Sequence, residues 1–480
     1  MDNYRMLIDG KWVGAASGAT FPVMNPANGE KVADAPLGAR EDALSALKAA
    51  SRAFPAWAAL SFEKRAELMH KSAALLRERR DAIAHTLSLE QGKPINQAKG
   101  EIAGTADALD YFAEAGRLIK GEIIPTTSPK RKSLVVKEPV GVVAAIGPWN
   151  FPILLLSWKI APALAAGCTV VSKPSSLTPL AVIEFHACFK DAGIPDGVIN
   201  CVVGPGDTVG QELVENPLSK KIGFTGNSAT GKDIMRRASA SLKKLTLELG
   251  NNAPMIICED TDVPAAAKAA AKKSFDNMGQ ICNSANRIYV QRTIADEFIT
   301  LMVKAARAMV IANGCANPAA DLGPMVSAKQ LAFVQEHIAD AVKRGAKVLC
   351  GGEKPAGKEF EKGHFFQPTV LSGVTHEMRI MKEETFGPVA PVMVFDEFEK
   401  VIALANDTPY GLVAYVYTND ARRIAFASEK LEFGTVDFNN VSGGHHYYPY
   451  AGWKDSGVGI ELSEFGLEEY LRVKHVRIDL

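Results

Sequence analysis

A lone cysteine behind a glycine and among small polar residues, Gly279-Gln280-Ile281-Cys282-Asn283-Ser284, is the stretch of this sequence with the most direct chemical content. An alanine-rich, helix-forming run (265–273) feeds into it and a strand-like run (287–290) follows. Cys282 therefore falls on a loop, where something entering a cleft can meet it, whereas Cys168 and Cys258 sit in apolar runs. Taken alone, Cys282 is either a small hydrophobe filling space or a nucleophile.

Other stretches carry matching chemistry. Asn150 lies in Pro148-Trp149-Asn150-Phe151-Pro152, after the strand-like run 142–146. A proline-clamped turn there either presents the amide NH2 rigidly to an oxyanion or is simply stiff. Lys173, in Ser172-Lys173-Pro174-Ser175-Ser176, ends another strand and can reach a ribose or a phosphate. Phe224-Thr225-Gly226-Asn227, with Gly231 further on, opens a helix whose NH groups face pyrophosphate or merely receive a cap; it is not the GxGxxG pattern. Glu248 sits in the apolar strand Leu245-Thr246-Leu247-Glu248-Leu249. A carboxylate there is costly unless paired or functional, and desolvation raises its pKa into the range of a general base. Glu383-Glu384-Thr385-Phe386-Gly387-Pro388 is an acidic-aromatic turn.

The elements that must position these residues follow from periodicity. Residues 7–14 read as a hairpin turning at Asp9-Gly10, and 39–116 as helical text with apolar residues at three and four spacing. From 140 to 249 short apolar strands alternate with helices, the pattern of a doubly wound α/β sheet that binds ligands at its strands' carboxyl ends. A second α/β segment carries the Cys282 loop. The basic turn 129–132 leads into a protruding strand pair, and 470–480 alternates like an exposed strand, which points to a subunit contact.

Composition narrows the class. At 480 residues the chain exceeds one core, and 54 basic against 54 acidic residues leave no basic field for nucleic acid. Seven scattered cysteines without a CxxC pair argue against a metal site or a disulfide framework. The first ten residues lack an apolar leader core, and prolines with Lys159 break the most hydrophobic stretch, 141–171, below membrane-spanning length. A cytoplasmic enzyme without a metal is expected.

PWNFP with Asn150, KPS with Lys173, FTG with Gly231, LELG with Glu248, GQIC with Cys282 and EETFGP occur in this order. The sequence thereby resembles the NAD(P)-dependent aldehyde dehydrogenase superfamily over nearly its whole length, and its text is most similar to the succinate-semialdehyde dehydrogenase branch (KEPVGVVAAI, ANDTPYGL). The resemblance implies a Rossmann-like cofactor domain (1–116 and 140–249), an α/β catalytic domain (250–447) and a small β oligomerisation element (117–139 and 448–480), in a homodimer or homotetramer. It implies Cys282 as nucleophile, Asn150 as oxyanion donor, Glu248 as base and Lys159 on the proton path. NAD or NADP would be held by Ile146, Pro148, Trp149, Lys173, Ser175, Ser176, Gly206, Phe224, Gly226, Asn227, Leu249, Glu384 and Phe386. The aldehyde would meet Phe151, Trp158, Asp276, Ile281, Asn283 and Tyr450.

Some positions depart from the family pattern. Ser176 stands where many NAD-preferring members carry a glutamate; that carboxylate would repel a 2′-phosphate, so the serine permits NADP. Asn227 and Asn251 replace a serine and a glycine, Pro449-Tyr450-Ala451-Gly452-Trp453-Lys454 stands for PFGGxK, and Glu461 follows Gly459-Ile460 where Gly-Arg-Glu is usual. Trp158 and Asp276 occupy positions where the semialdehyde branch carries arginines, so a carboxylate-bearing aldehyde would need another cation. Trp158 with His445, His446, Tyr447, Tyr448 and Tyr450 points instead to an aromatic or aminoaldehyde pocket, unless the His/Tyr cluster only packs a loop. Two other functions stay open: a cofactor-binding homologue with weakened turnover, and a thioester or ester hydrolase using the same cysteine.

Overall fold

The computed structural model describes residues 4–442 and 444–480; Met1, Asp2 and Asn3, part of the start read for a leader, lie outside them. Strands Val142–Ile146, Thr169–Lys173 and Ile199–Cys201 lie side by side and parallel, each followed by a helix that returns the chain for the next. The chain then crosses to the other side of Val142–Ile146 and lays down Ser219–Thr225 and Lys244–Glu248, also parallel. The reversal between Val142–Ile146 and Ser219–Thr225 leaves a crevice at the carboxyl ends of these strands. The hairpin Met6–Ile8 and Lys11–Val13, turning through left-handed Asp9 and Gly10, extends one edge.

The helical text of 39–116 resolves into Arg40–Ala58, Phe62–Glu78, Arg80–Gln91 and Ile95–Ala115. Phe62–Glu78 shows why: Ser61 caps it by accepting from the Lys64 N–H, and Ala66, Met69, Ala73 and Leu76 recur on its buried face.

A second sheet runs in the order Lys347–Cys350, Thr369–Ser372, Val389–Phe395, Ala285–Gln291, Ala253–Ile257, Val413–Tyr417, Thr435–Phe438, parallel except at its first pair. A three-stranded antiparallel sheet pairs Leu471–Asp479 with Arg131–Pro139 and that strand with Glu122–Ile124. The boundary drawn at 448 is corrected by register. Gly457–Val458 is an edge strand beside Lys244–Glu248 in the first sheet, and only Leu471–Asp479 of that C-terminal portion joins the projecting strands. No helix among the described residues is long and apolar enough to cross a membrane.

Candidate active site

A cleft of about 920 Å³ opens at the crevice of the first sheet. Register aligns Ile146 with Lys173, Phe224 with Ile146, and Thr225 with Glu248, so four strand ends meet there. Ile146, Pro148, Trp149, Lys173, Ser175 and Ser176 line one side of it. Gly206, Phe224, Gly226, Asn227 and Leu249 line the floor, and Glu384 and Phe386 reach in from the second sheet's side. Every cofactor residue nominated from the sequence is thus brought to one cavity.

Lys173 is buried and among the described residues its Nζ donates only to the Pro174 carbonyl (3.1 Å); burial lowers its pKa to about 8. Ser176 Oγ donates to the Gly204 carbonyl at 3.2 Å. Asn227 is the N-cap of the helix Ser228–Ala238, its side chain accepting from the Thr230 N–H at 2.8 Å, and it also lines the cleft. Glu384 accepts from the Asn251 N–H at 2.9 Å, and burial pushes its carboxyl up to about 7. Asn251 itself is buried and its amide reaches the Val413 and Leu412 backbone, joining the two sheets in place of a glycine. Phe386 holds a left-handed backbone (φ 51°) and meets Trp149 edge-on at 5.4 Å; both nearby carbonyls, of Thr385 and Phe386, are bound by the Gln330 amide. Left-handed backbone at a bulky residue is strain, held here by that amide.

The Cys282 loop is shaped by three consecutive left-handed residues, Asn277 (φ 49°), Met278 (φ 60°) and Gly279 (φ 66°). A Cβ on Gly279 would lie 2.1 Å from the Gly387 carbonyl oxygen, so only glycine fits. Asn150 joins this loop: its Nδ2 donates to the Gln280 carbonyl at 2.8 Å, and its own carbonyl accepts from Asn277 Nδ2 at 3.3 Å. An asparagine amide carries two N–H donors, so one fixes the side chain and the other stays available. Cys282 opens onto the cleft. Its sulfur is nevertheless desolvated, which pushes the thiol up to about 12; Glu248 and Glu384 add to the rise, while Tyr450 and Lys273 oppose it.

Glu248 does not line the cleft, and both its carboxylate oxygens are buried without a partner among the described residues. Burial, then Glu461, drives its pKa well up, against the pull of Lys159. Lys159 is fully buried and donates to Thr225 Oγ1 (2.6 Å), Glu461 Oε1 (2.6 Å) and the Leu155 carbonyl (3.2 Å). Glu461, noted from the sequence only as the end of the altered Gly459-Ile460-Glu461 stretch, therefore belongs to the surroundings of Glu248.

The residues nominated for the aldehyde do not line this cleft. Tyr450 Oη lies 3.6 Å from Cys282 Sγ, and its ring meets Trp158 edge-on at 5.7 Å. Trp158 Nε1 and Asn283 Oδ1 are buried and unpartnered among the described residues. Asp276 begins the turn before the loop, and its carboxyl is raised by burial. Ile281 and Asn283 flank the cysteine, half-buried. The Phe151 ring lies 3.7 Å from Lys93 Nζ. The grouping of Trp158 with the whole His/Tyr cluster is corrected. His445, His446 and Tyr447 line a separate depression with Tyr111 and Phe465, Tyr448 is exposed, and only Tyr450 meets Trp158.

Sequence reasoning missed the support beneath Asn150. Lys93 Nζ donates to Glu101 Oε2 (2.5 Å) and to the Asn150 carbonyl (2.7 Å), while Glu101 Oε1 accepts from the Ile153 and Leu154 N–H groups at the start of the helix Leu154–Ala166. Both charged side chains are fully buried. A signal existed: Glu101 falls on the helical face otherwise given to Ala98, Ile102, Thr105 and Phe112. Tyr415 was also missed; its hydroxyl donates to the Asn283 carbonyl at 2.7 Å.

The comparisons with known proteins agree with this architecture. The succinate-semialdehyde dehydrogenase [NADP(+)] GabD of Escherichia coli K12 is 42% identical over 475 residues, covering 99% of this chain and 97% of that protein. The betaine aldehyde dehydrogenase of Bacillus subtilis is 41% identical over 476 residues, covering 98% and 96%. A solved structure described as an E. coli NADP-dependent enzyme superposes with a TM-score of 0.97 at 42% identity, covering 100% of this chain and 98% of that one. The family model described as "Aldehyde dehydrogenase family" matches residues 12–476, and with that span and these relatives the chain belongs to the aldehyde dehydrogenase family.

Proposed function

We propose that this protein oxidises an aldehyde to a carboxylic acid with NAD or NADP, using Cys282 as nucleophile. The observation that carries the reading is the meeting, at one end of the cleft, of the Cys282 thiol with the Asn150 amide that is tied to its loop. The cleft fits a dinucleotide. The N-terminus of Ser228–Ala238 faces it, Gly226 has no Cβ to collide with the Phe224 ring, and the buried Lys173 ammonium has no salt bridge among the described residues. Lys173, Ser175 and Ser176 would hold the adenosine end, Gly226 and Asn227 the pyrophosphate, and Glu384 and Phe386 the nicotinamide end. Ser176 admits a 2′-phosphate, and the NADP named for the E. coli relative accords with that.

Attack by the Cys282 thiolate forms a carbon–sulfur bond and places negative charge on the former carbonyl oxygen. The free Asn150 N–H and the Cys282 backbone N–H are the donors that would hold it, the oxyanion arrangement of acyl-transfer sites. A bound nicotinamide dinucleotide supplies the hydride acceptor that turns this thiohemiacetal into a thioester. Glu248, raised by burial and facing no partner, then takes a proton from the water that cleaves the acyl–sulfur bond, returning the thiol and releasing the acid. Lys159 and Glu461 would carry that proton onward.

For the aldehyde, Trp158 and Tyr450 favour an aromatic or aminoaldehyde; the semialdehyde relatives favour a carboxylate-bearing one. The exposed strand Leu471–Asp479, with Val473 71% exposed, is the surface that would join subunits. The test is reduced-cofactor absorbance at 340 nm with succinic semialdehyde, benzaldehyde-type, aliphatic and amino aldehydes, each with NAD and NADP. Cys282→Ala should abolish turnover with every aldehyde; full activity in that variant, or no reduced cofactor from the parent protein, would overturn the reading.

A further inference from the structure

Tyr450 places a phenol where a plain ring would pack equally well. Only 4% of the residue is exposed, and its ring is held edge-on by Trp158. A buried hydroxyl is costly unless it is hydrogen-bonded. Among the described residues its one hydrogen-bond partner is Cys282 Sγ, at 3.6 Å. The backbone fixes that contact. Tyr450 and Glu461 exchange N–H···O bonds at 2.8 Å in both directions, and Glu461 in turn holds Lys159.

We propose that Tyr450 is a catalytic residue, whose hydroxyl donates a hydrogen bond to the Cys282 sulfur and stabilises the thiolate. The inference rests on Cys282 being the nucleophile. In the thiol state either atom can donate; once the sulfur is a thiolate only the phenol can. The thiol proton leaves to solvent through the cleft onto which Cys282 opens, and the phenol keeps its own, because burial holds Tyr450 well above the usual phenol range. The charged and titratable groups around the sulfur divide by sign. Glu248 and Glu384 disfavour the thiolate; Lys273 and Tyr450 favour it. Tyr415 is near as well, but its hydroxyl is committed to the Asn283 carbonyl. Of the two favourable groups, Tyr450 is the one in hydrogen-bonding contact with the sulfur. It supplies what a thiol raised by burial lacks, a donor that strengthens as the charge forms.

Tyr450→Phe keeps the ring against Trp158 and removes only the donor. The experiment measures iodoacetamide alkylation of Cys282 from pH 6 to pH 10, resolved by peptide mass spectrometry so that the other six thiols do not interfere. Neither aldehyde nor cofactor is added. Below the thiol's own midpoint the alkylation rate follows the thiolate fraction, so at each pH in this range it should fall about tenfold, with turnover at neutral pH falling by a similar factor and KM nearly unchanged, the effect of one hydrogen bond to a charged group. Thermal unfolding of the variant verifies its fold. An unchanged alkylation rate across this range, with the parent enzyme active and Cys282→Ala inactive, would overturn the role of the phenol and leave the proposed reaction standing. Turnover surviving in Cys282→Ala would overturn both.

Discussion

On the side of Cys282 proposed for the cofactor the protein offers backbone: four strand ends, a glycine that leaves room, and one helix N-terminus. On the side proposed for the aldehyde it offers side chains from segments far apart, Trp158 from one helix, Asp276 and Asn283 from the cysteine loop, and Tyr450 from near the C-terminus. A nucleotide has fixed chemistry, and an arrangement of main-chain donors suits it whatever the aldehyde. The aldehyde side can be changed by substituting side chains without disturbing any strand. The two halves thus differ in what a mutation reaches: on one side geometry, on the other selectivity.

The strongest way to break that contrast is to attack what both halves share. Lys93→Met leaves Glu101 buried without its cation and unhooks the Asn150 carbonyl. Removing one partner of a buried pair costs about 3–5 kcal/mol, so denaturant unfolding should show a loss of that size, with kcat falling as the oxyanion donor loosens. A variant with unchanged stability and kcat would show that the turn holds itself.

A smaller effect is confined to the cofactor half. Ser176→Glu places a carboxylate where a 2′-phosphate would sit, and the ratio of kcat/KM for NADP over NAD should fall by about tenfold or more, with NAD nearly unaffected. Equal losses with both cofactors would mean that Ser176 has no part in the choice. The smallest change belongs to the aldehyde half. Asp276→Arg reverses the charge before the cysteine loop and should favour carboxylate-bearing over neutral aldehydes by less than about tenfold, mainly through KM, as expected of a partly screened charge. A loss in kcat with all aldehydes would make Asp276 a part of the loop's architecture.

The residues that line the cleft were legible in the sequence because their signals are local. A strand run ending at Lys173, a glycine after Phe224 and an asparagine before a helix each announce themselves within a few residues. The helical text of 39–116 was legible for the same reason, but its three- and four-residue spacing did not show the breaks at Ser61, Arg79 and Gly92 that divide it into four helices. Ala253–Ile257 was passed over because a fully buried parallel strand is a short apolar run without alternation. The support of Asn150 was hidden by distance: Lys93 and Gln280 meet it across 57 and 130 residues, and periodicity carries no information about such pairs. His446 and Tyr450 are near neighbours in sequence, yet His446 lines the separate depression while Tyr450 meets Cys282, which adjacency alone does not reveal.

The edge strand Gly457–Val458 has a further consequence, for the birth of the enzyme. Gly457 pairs with Glu248 itself, Ser456 receives the Leu249 N–H, and Tyr450 and Glu461 come from the same late segment. Synthesis delivers these residues after every other strand of both large sheets, and long-range pairing of this kind forms late. The strands that frame the crevice are therefore made before Tyr450 and Glu461 arrive, and the surroundings of Cys282 and Glu248 are completed last.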